Sequence, residues 1–332
     1  MKNIKSTLND LGFSFIKKIG YLVNPVVLKF MKEDKQLLVF FFHGLFESVK
    51  QKDLNLIYPQ HNMTVKQFVD FIDYFLSHNY KFILPDDLTK GLENDQPYAM
   101  ITFDDGYFNN MLAIEILNKY KIPAVFFIST KNMVENKSYW WDIIYKYRSQ
   151  QGNSAEKIGN EIRSLKGLKY TLIDEYILKN FGMESFTPWS DISRPFNESE
   201  IRELATNPYV SFGNHTHNHS ILINYNKEEM KEELSVSNKI LFDLTNTLPN
   251  AIAFPNGNYN QIVLEATEEE GFQYAFTTEP GRNLFPIGNS KLTCLNRNMT
   301  DTTEINKFGG FCRLGYEPGT LYEDLKMKVK FW

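Results

Sequence analysis

Histidine is scarce in this chain and stops early: there are six in 332 residues, and none follows His219. Cysteine is scarcer still, with only Cys294 and Cys312, too few for the disulfide framework of a small secreted domain. Neither cysteine lies in a CxxC pair or beside the histidines. Both are expected to be buried free thiols, and no metal ligation by sulfur is expected. No run reaches the roughly 18 apolar residues that span a bilayer. The N-terminus carries Lys2 and Lys5 but no apolar core followed by a small-residue cleavage site, so the expected location is cytoplasmic. A basic surplus is missing as well. The net charge of −4 argues against nucleic acid as the main partner, which would require a basic face.

What is present suits a large soluble core, and a β/α barrel of this length forms one domain. The first stretch differs from the rest. Residues 1–32 hold six lysines against a single acid, Asp10, interleaved with apolar residues up to Pro25. A basic amphipathic helix touching an anionic membrane surface is one expectation, and a helix packed on the domain with its lysines outward is the other.

Farther along, strand and helix patterns alternate. Residues 37–42 read as a first core strand ending at His43. Residues 64–78 place Phe68, Phe71, Ile72 and Phe75 at helical spacing behind a Thr64 cap, with Gln67 completing a capping box. A short strand at 81–84 precedes an apolar strand at 99–103, which delivers Asp104 and Asp105 at its C-terminal end. A helix at 110–120 and a strand at 124–129 follow. Residues 131–195 break the rhythm with helices at 143–148, 155–165 and 172–181, and read as an insertion on the rim. Trp140 and Trp141 are expected to anchor it, with at most one of them near substrate. The alternation then resumes: helix 197–205, strand 209–212, helix 227–244, strand 251–254, helix 259–270, and strands 274–278 and 292–295. This pattern predicts an α/β fold of parallel strands with helices outside. The divisions are a basic helical segment at 1–36, a barrel at 37–300 containing the insertion, and an extension at 301–332. Each polar cluster follows a strand, and in parallel β/α barrels those strand ends form the active-site face.

Two of these clusters carry chemistry. Adjacent carboxylates repel unless a cation holds them, so Asp104 and Asp105 read as one ligand and one free base, or else as an Asp-Asp-Gly turn with Gly106 supplying positive φ. In Gly213-Asn-His-Thr-His-Asn-His219, His215 and His219 share a face of a helix, whereas all three imidazoles share a face of a strand. Spacing therefore leaves the ligand pair open. Imidazole is the commonest metal ligand, and the two strings together supply a hydrolytic metal site with an open position for water.

The order of motifs is more specific than any one of them. Thr102-Phe-Asp-Asp-Gly106, a helix, Ile122-Pro-Ala-Val-Phe-Phe127, the histidine string and Ala253-Phe-Pro-Asn-Gly257 together resemble the polysaccharide deacetylase family with NodB homology, over roughly residues 37–300. The resemblance implies a distorted (β/α) barrel. It also implies that Asp104 is the catalytic base, that Asp105, His215 and His219 bind one divalent metal, and that His217 is a bystander beside a loop-bracing Thr216. The backbone N–H of Asn256 would stabilise the oxyanion. Zinc is the expected cation, and nickel, cobalt or iron also suit such ligands.

The chain departs from the family at the proton donor. Many members place a histidine in a late Leu-x-His motif, but residues 292–299 offer Arg297 instead. The arginine that often precedes the third motif's proline is also missing, with Ala253 and Phe254 in its place. His43 then becomes the candidate acid, and Arg297 a candidate for binding substrate or for orienting the base. Tyr107 and Pro255, next to the motifs, complete the expected substrate contacts. The implied activity is removal of an N-acetyl group from an N-acetylated sugar in surface polysaccharide or glycolipid synthesis. Deformylation or O-acetyl ester cleavage would use the same groups. A sugar-binding protein on the same fold is the non-enzymatic alternative, disfavoured by the intact Asp104, Asp105, His215 and His219.

Overall fold

Strand β1 (Gln36–Phe42) is buried along its whole length, yet its two faces have different neighbours. Leu38, Phe40 and Phe42 join the core beneath the outer helices, whereas Leu37 and Val39 join a second core inside the sheet. This alternation is the period of two that a strand imposes on its side chains. The computed structural model describes residues 28, 33, 36–60, 63–93, 95–287, 290–300 and 304–314. Apart from Leu28, the basic segment expected over residues 1–32 lies outside the described residues, as does much of the extension after 301.

The remaining strands of the sheet are β2 (Lys81–Phe82), β3 (Tyr98–Phe103), β4 (Ala124–Ile128), β5 (Val210–Asn214), β6 (Ala251–Ala253), β7 (Tyr274–Phe276), β8 (Asn283–Leu284), β9 (Thr293–Leu295) and β10 (Asn298–Met299). Their order is β8-β1-β3-β4-β5-β6-β7-β9, with β2 on β3 and β10 on β1. From β1 through β7 the neighbours along this path are parallel. Closure comes from one bent segment. β9 pairs with β7 at one edge, and β10, after only Asn296 and Arg297, pairs with β1 at the other through Phe40↔Asn298 and Phe41↔Met299. The result is a nearly closed, barrel-like sheet, the α/β architecture that the alternation predicts.

Helices cover the outside. Helix α1 (Val65–Ser77) starts at the predicted capping box, where the Gln67 side chain accepts from the Thr64 N–H at 2.9 Å and Thr64 Oγ1 accepts from the Gln67 N–H at 3.3 Å. Its Phe71 and Phe75 rings lie 4.9 and 4.7 Å from Phe40. Burying each such ring contributes about 1.5–3 kcal/mol. Helix α2 (Met111–Tyr120) follows β3, and α3 (Thr130–Glu135) follows β4. Helices α4 (Trp140–Gln150), α5 (Ala155–Leu165) and α6 (Tyr170–Phe181) form the predicted insertion, with its own cluster around Ile143, Ile144, Ile158 and Ile177. Then come α7 (Glu198–Leu204), α8 (Lys227–Thr245) and α9 (Gln261–Glu269).

Some features differ from the sequence reading. Helix α3 and strands β8 and β10 were not anticipated. Helix α10 (Ile305–Leu314), inside the expected extension, packs back on α1, so closely that a Cβ on Gly309 would lie 2.1 Å from the Tyr74 ring. Arg313 pairs there with Glu33 and donates to Tyr74 Oη at 3.2 Å. Both cysteines are free, but Cys294 is exposed while Cys312 is buried. Among the described residues no helix is long and apolar enough to cross a membrane.

Candidate active site

Side-chain alternation in β3 decides where the first aspartate points. Tyr98 and Met100 face the interior core and Ala99, Ile101 and Phe103 the outer one. Thr102 and Asp104 continue the inward series just past the strand end, where Asp104 N–H still donates to the Phe42 carbonyl at 2.9 Å. The chain then turns sharply. Asp105 has φ 72° and Gly106 φ 90°, so the aspartate itself shares the left-handed conformation expected only of the glycine. The Asp105 carbonyl accepts from Tyr139 Oη at 2.8 Å and the Ser129 N–H at 3.2 Å, which holds this uncommon backbone in place.

Strand β5 delivers the histidines. Gly213 lies against Phe127, and any Cβ there would sit 2.4 Å from that ring. The loop beyond bends through left-handed residues at Thr216 (φ 61°) and His219 (φ 51°). A β-branched threonine in that region is a true outlier, of order 1–3 kcal/mol. Its compensation is visible: Thr216 N–H donates to Asn214 Oδ1 and Thr216 Oγ1 accepts from the Ser220 N–H, both at 2.7 Å. Buried Glu233 on α8 accepts from the Asn218 N–H at 2.8 Å and from Asn218 Nδ2 at 2.6 Å. Thr216 thus braces the loop as the sequence reading expects.

These turns bring His215 Nε2 to 3.3 Å and His219 Nε2 to 3.2 Å from Asp105 Oδ1. One donor atom from each of the three residues lies within 4.8 Å of the others. His215 Nδ1 is 2.7 Å from the Ala253 carbonyl. A carbonyl only accepts, so this nitrogen carries the proton and Nε2 presents its lone pair to the site, the usual arrangement of a metal-binding imidazole. Burial holds His219 below the ordinary imidazole range, against the pull of Asp105, and so favours its neutral form. Burial by itself would raise the Asp105 carboxyl, but His215 and His219 overcome it and the net shift is downward. Asp105 Oδ2 is buried with no hydrogen-bond partner. An ionised carboxylate with one oxygen against two imidazoles and the other buried without a partner fits a divalent cation.

His217 stays apart from this cluster, with its Nδ1 2.9 Å from Thr130 Oγ1.

Asp104 is held differently. Arg297 NH1 donates to Asp104 Oδ1 at 2.7 Å and NH2 to Oδ2 at 2.9 Å, a bidentate pair. The guanidinium is fully buried, packs over Phe41 and Phe127, and also donates to the Thr277 carbonyl and to Thr102 Oγ1. Burial pushes Asp104 up, and Arg297 more than reverses it, leaving the carboxyl below its usual range. Arg297 reaches this place because it occupies the bend between β9 and β10. Of the two roles open for it, the buried position excludes contact with substrate and leaves orientation of Asp104.

A cleft of about 260 Å³ opens above these residues. His43, Asp104, Asp105, His215 and His219 border it, as do Asn256, Trp140, Trp141 and Lys166. Both tryptophans reach the cleft, one more than expected. Trp141 also anchors the insertion, stacked 5.0 Å from Tyr139 and lying 4.5 Å from the His219 ring. Asn256 is left-handed (φ 58°), and among the described residues its backbone N–H finds no acceptor. Two expected substrate contacts are corrected. Pro255 is buried under the turn. The Tyr107 ring is buried too, its hydroxyl donating to Asp142 Oδ2 at 2.7 Å and accepting from Trp141 Nε1 at 2.9 Å, so it serves the insertion rather than the cleft. Sequence reasoning gave no role to Lys166 or Asp142. Nothing in their local spacing marks them, because both reach the site only through the packing of the insertion.

Comparison with known proteins adds to this geometry. The family model described as "Polysaccharide deacetylase" matches residues 91–275, more than half of the 332 residues. A candidate polysaccharide deacetylase, YxkH of Bacillus subtilis (strain 168), is 24% identical over 221 residues, covering 65% of this chain. The alignment spans 58% of that relative's own length. Among solved structures, the Streptococcus pyogenes deacetylase PplD in complex with acetate superposes with a TM-score of 0.58 at 17% identity, over 84% of this chain and 99% of that one. IcaB from Ammonifex degensii gives a TM-score of 0.57 at 16% identity, over 84% and 97%. At these identities the structural likeness is one of fold.

Proposed function

The chain belongs to the polysaccharide deacetylase family, and from that membership we propose that it hydrolyses the N-acetyl amide of an amino sugar in a surface polysaccharide or glycolipid, releasing acetate. One observation carries this reading. Asp105 sets Oδ1 against two imidazoles and keeps Oδ2 buried without a partner, while the neighbouring Asp104 is kept separate by its own arginine. Asp105, His215 and His219 would hold one divalent cation; zinc suits two imidazoles and a carboxylate, and nickel, cobalt and iron suit the same donors. When bound, such a cation polarises the acetyl carbonyl and lowers the pKa of water.

The protein's own groups supply the rest. Asp104, ionised and fixed in direction by Arg297, takes a proton from water as its oxygen bonds to the acetyl carbon. The Asn256 N–H donates to the acetyl oxygen as charge builds there. Trp140 and Trp141 offer an apolar wall to a sugar ring. When the C–N bond breaks, the nitrogen leaves with an electron pair and needs a proton.

The test is direct. Zinc-loaded protein is incubated with N-acetylglucosamine oligomers and acetate is measured. Wild type is expected to release acetate, and Asp104→Ala to keep its zinc but lose about 10²–10⁴-fold in rate. If a panel of N-acetyl, N-formyl and O-acetyl sugars yields no acid from the wild type, the reading is wrong.

A further inference from the structure

We propose that Lys166, at the end of α5 in the insertion, supplies the proton that the departing amine nitrogen takes. The inference rests on the deacetylase reading above. It begins from where the lysine stands. Lys166 borders the same cleft as Asp104, Asp105 and His219, and is half-buried there. Its Nζ donates to Asn256 Oδ1, the side chain of the residue whose backbone N–H is read above as the oxyanion donor. The ammonium is thereby tied to the turn that carries that N–H.

The second observation is what Lys166 lacks. Among the described residues it makes no ion pair, whereas Lys169 and Lys227 nearby reach Glu229 and Glu269 at 2.5 and 2.6 Å. A half-buried cation with only an amide for a partner is unfavourable unless it serves a purpose. Burial and Arg163 on the same helix depress its pKa, while Asp105 across the cleft pulls the other way. His219, depressed first of all by burial, is lowered slightly further by the lysine's charge. The outcome is an ammonium that gives up its proton more readily than an exposed lysine, as amine protonation near neutral pH requires.

Acid and base must also not neutralise each other. Burial acts most on Asp104, followed by Arg297 and His215 and then His43, and Lys166 is not among the groups that act on it. Lys166 approaches from the insertion, with Asn256 as its partner. When the tetrahedral adduct collapses, the C–N bond breaks and the nitrogen's electron pair takes the proton from Lys166 Nζ. The products are a free amine, acetic acid and a neutral lysine, and the proton held by Asp104 returns through solvent to restore the ammonium.

The test uses zinc-loaded full-length Lys166→Met and Lys166→Arg on two substrates: N-acetylglucosamine oligomers and an aryl acetate, whose phenolate leaves without a proton. Arginine keeps the charge but cannot donate near neutral pH. Both variants are expected to lose about 100-fold or more in amide kcat with KM little changed, and to lose the basic limb of the kcat–pH profile. Aryl acetate turnover and calorimetric zinc affinity should stay at wild-type levels. Amide turnover retained by either variant overturns the proposal, as does an equal loss on both substrates. If Lys166→Met does not fold, Lys166→Arg decides alone. A wild type that releases no acetate from the amide overturns the deacetylase reading and this inference with it, whereas an active wild type with active variants overturns only the role of Lys166.

Discussion

Arg297 shows how much one side chain controls. Fully buried and bidentate on Asp104, it makes a buried carboxylate tolerable, but a lone partner left behind would not be. Removing one member of such a pair costs about 3–5 kcal/mol, because the other charge stays buried and uncompensated. Arg297→Met is therefore expected to lose that much in urea denaturation, and the double variant Asp104→Ala/Arg297→Met to recover most of it. If the two losses simply add, the ion pair is not the reason for the arginine. His217 is the contrasting case, since its ring engages Thr130 outside the cluster of Asp105, His215 and His219. His217→Ala should keep calorimetric zinc affinity at the wild-type level, whereas His219→Ala should abolish it. The aspartates and histidines were legible because family motifs carry them. Arg297 was visible as a polar residue after a strand with two candidate roles, but the choice between them was not, since it depends on a bend between β9 and β10 that brings together positions almost 200 residues apart.

Strands and helices on either side of the insertion were legible for local reasons. Capping boxes at Thr64, Asn197 and Asn226 mark helix starts, and apolar runs of strand length mark the sheet. The insertion was legible as helices but not as a wall of the cleft, because that needs α4 and α5 to fold back over the barrel. Asp142 on α4 secures this packing. Its buried carboxylate accepts from the Tyr58 N–H at 2.7 Å as well as from Tyr107, and burial pushes its pKa up to about 8. With the folded pKa above the unfolded value near 3.9, the native state binds the extra proton. The associated stability is complete below pH 4 and is lost as pH rises towards 8, by at most about 1.4 kcal/mol per pH unit. Wild-type Tm should therefore fall between pH 5 and 8 relative to that of Asp142→Asn, whose side chain does not titrate. Parallel Tm–pH curves for the two proteins would place the origin of any slope elsewhere. The turn after β6 is as tightly specified: Gly257 has φ 71°, and a Cβ there would lie 1.9 Å from Thr278 Oγ1. Gly257→Ala should displace Asn256 and reduce kcat for acetate release more than it raises KM.

Across the whole molecule, the site joins the ends of two strands that are not neighbours in the sheet. Asp105 follows β3 and the histidines follow β5, with β4 between them in the sheet. The left-handed turns at Asp105, Thr216 and His219 hold these three residues together, and Asp105 Oδ2 remains buried without a partner. A bound cation would supply that partner. A cation that binds only the folded state at about 1,000 times its dissociation constant adds about 4 kcal/mol of stability. For a protein of this size each kcal/mol moves Tm by roughly 1.5 °C. Zinc is therefore expected to raise Tm by roughly 6 °C over chelator-treated protein. Asp105→Ala should lose this response, because it removes one of the three donors. A wild type whose Tm is the same with zinc and with chelator would mean that the three residues do not hold a metal, however well placed they are.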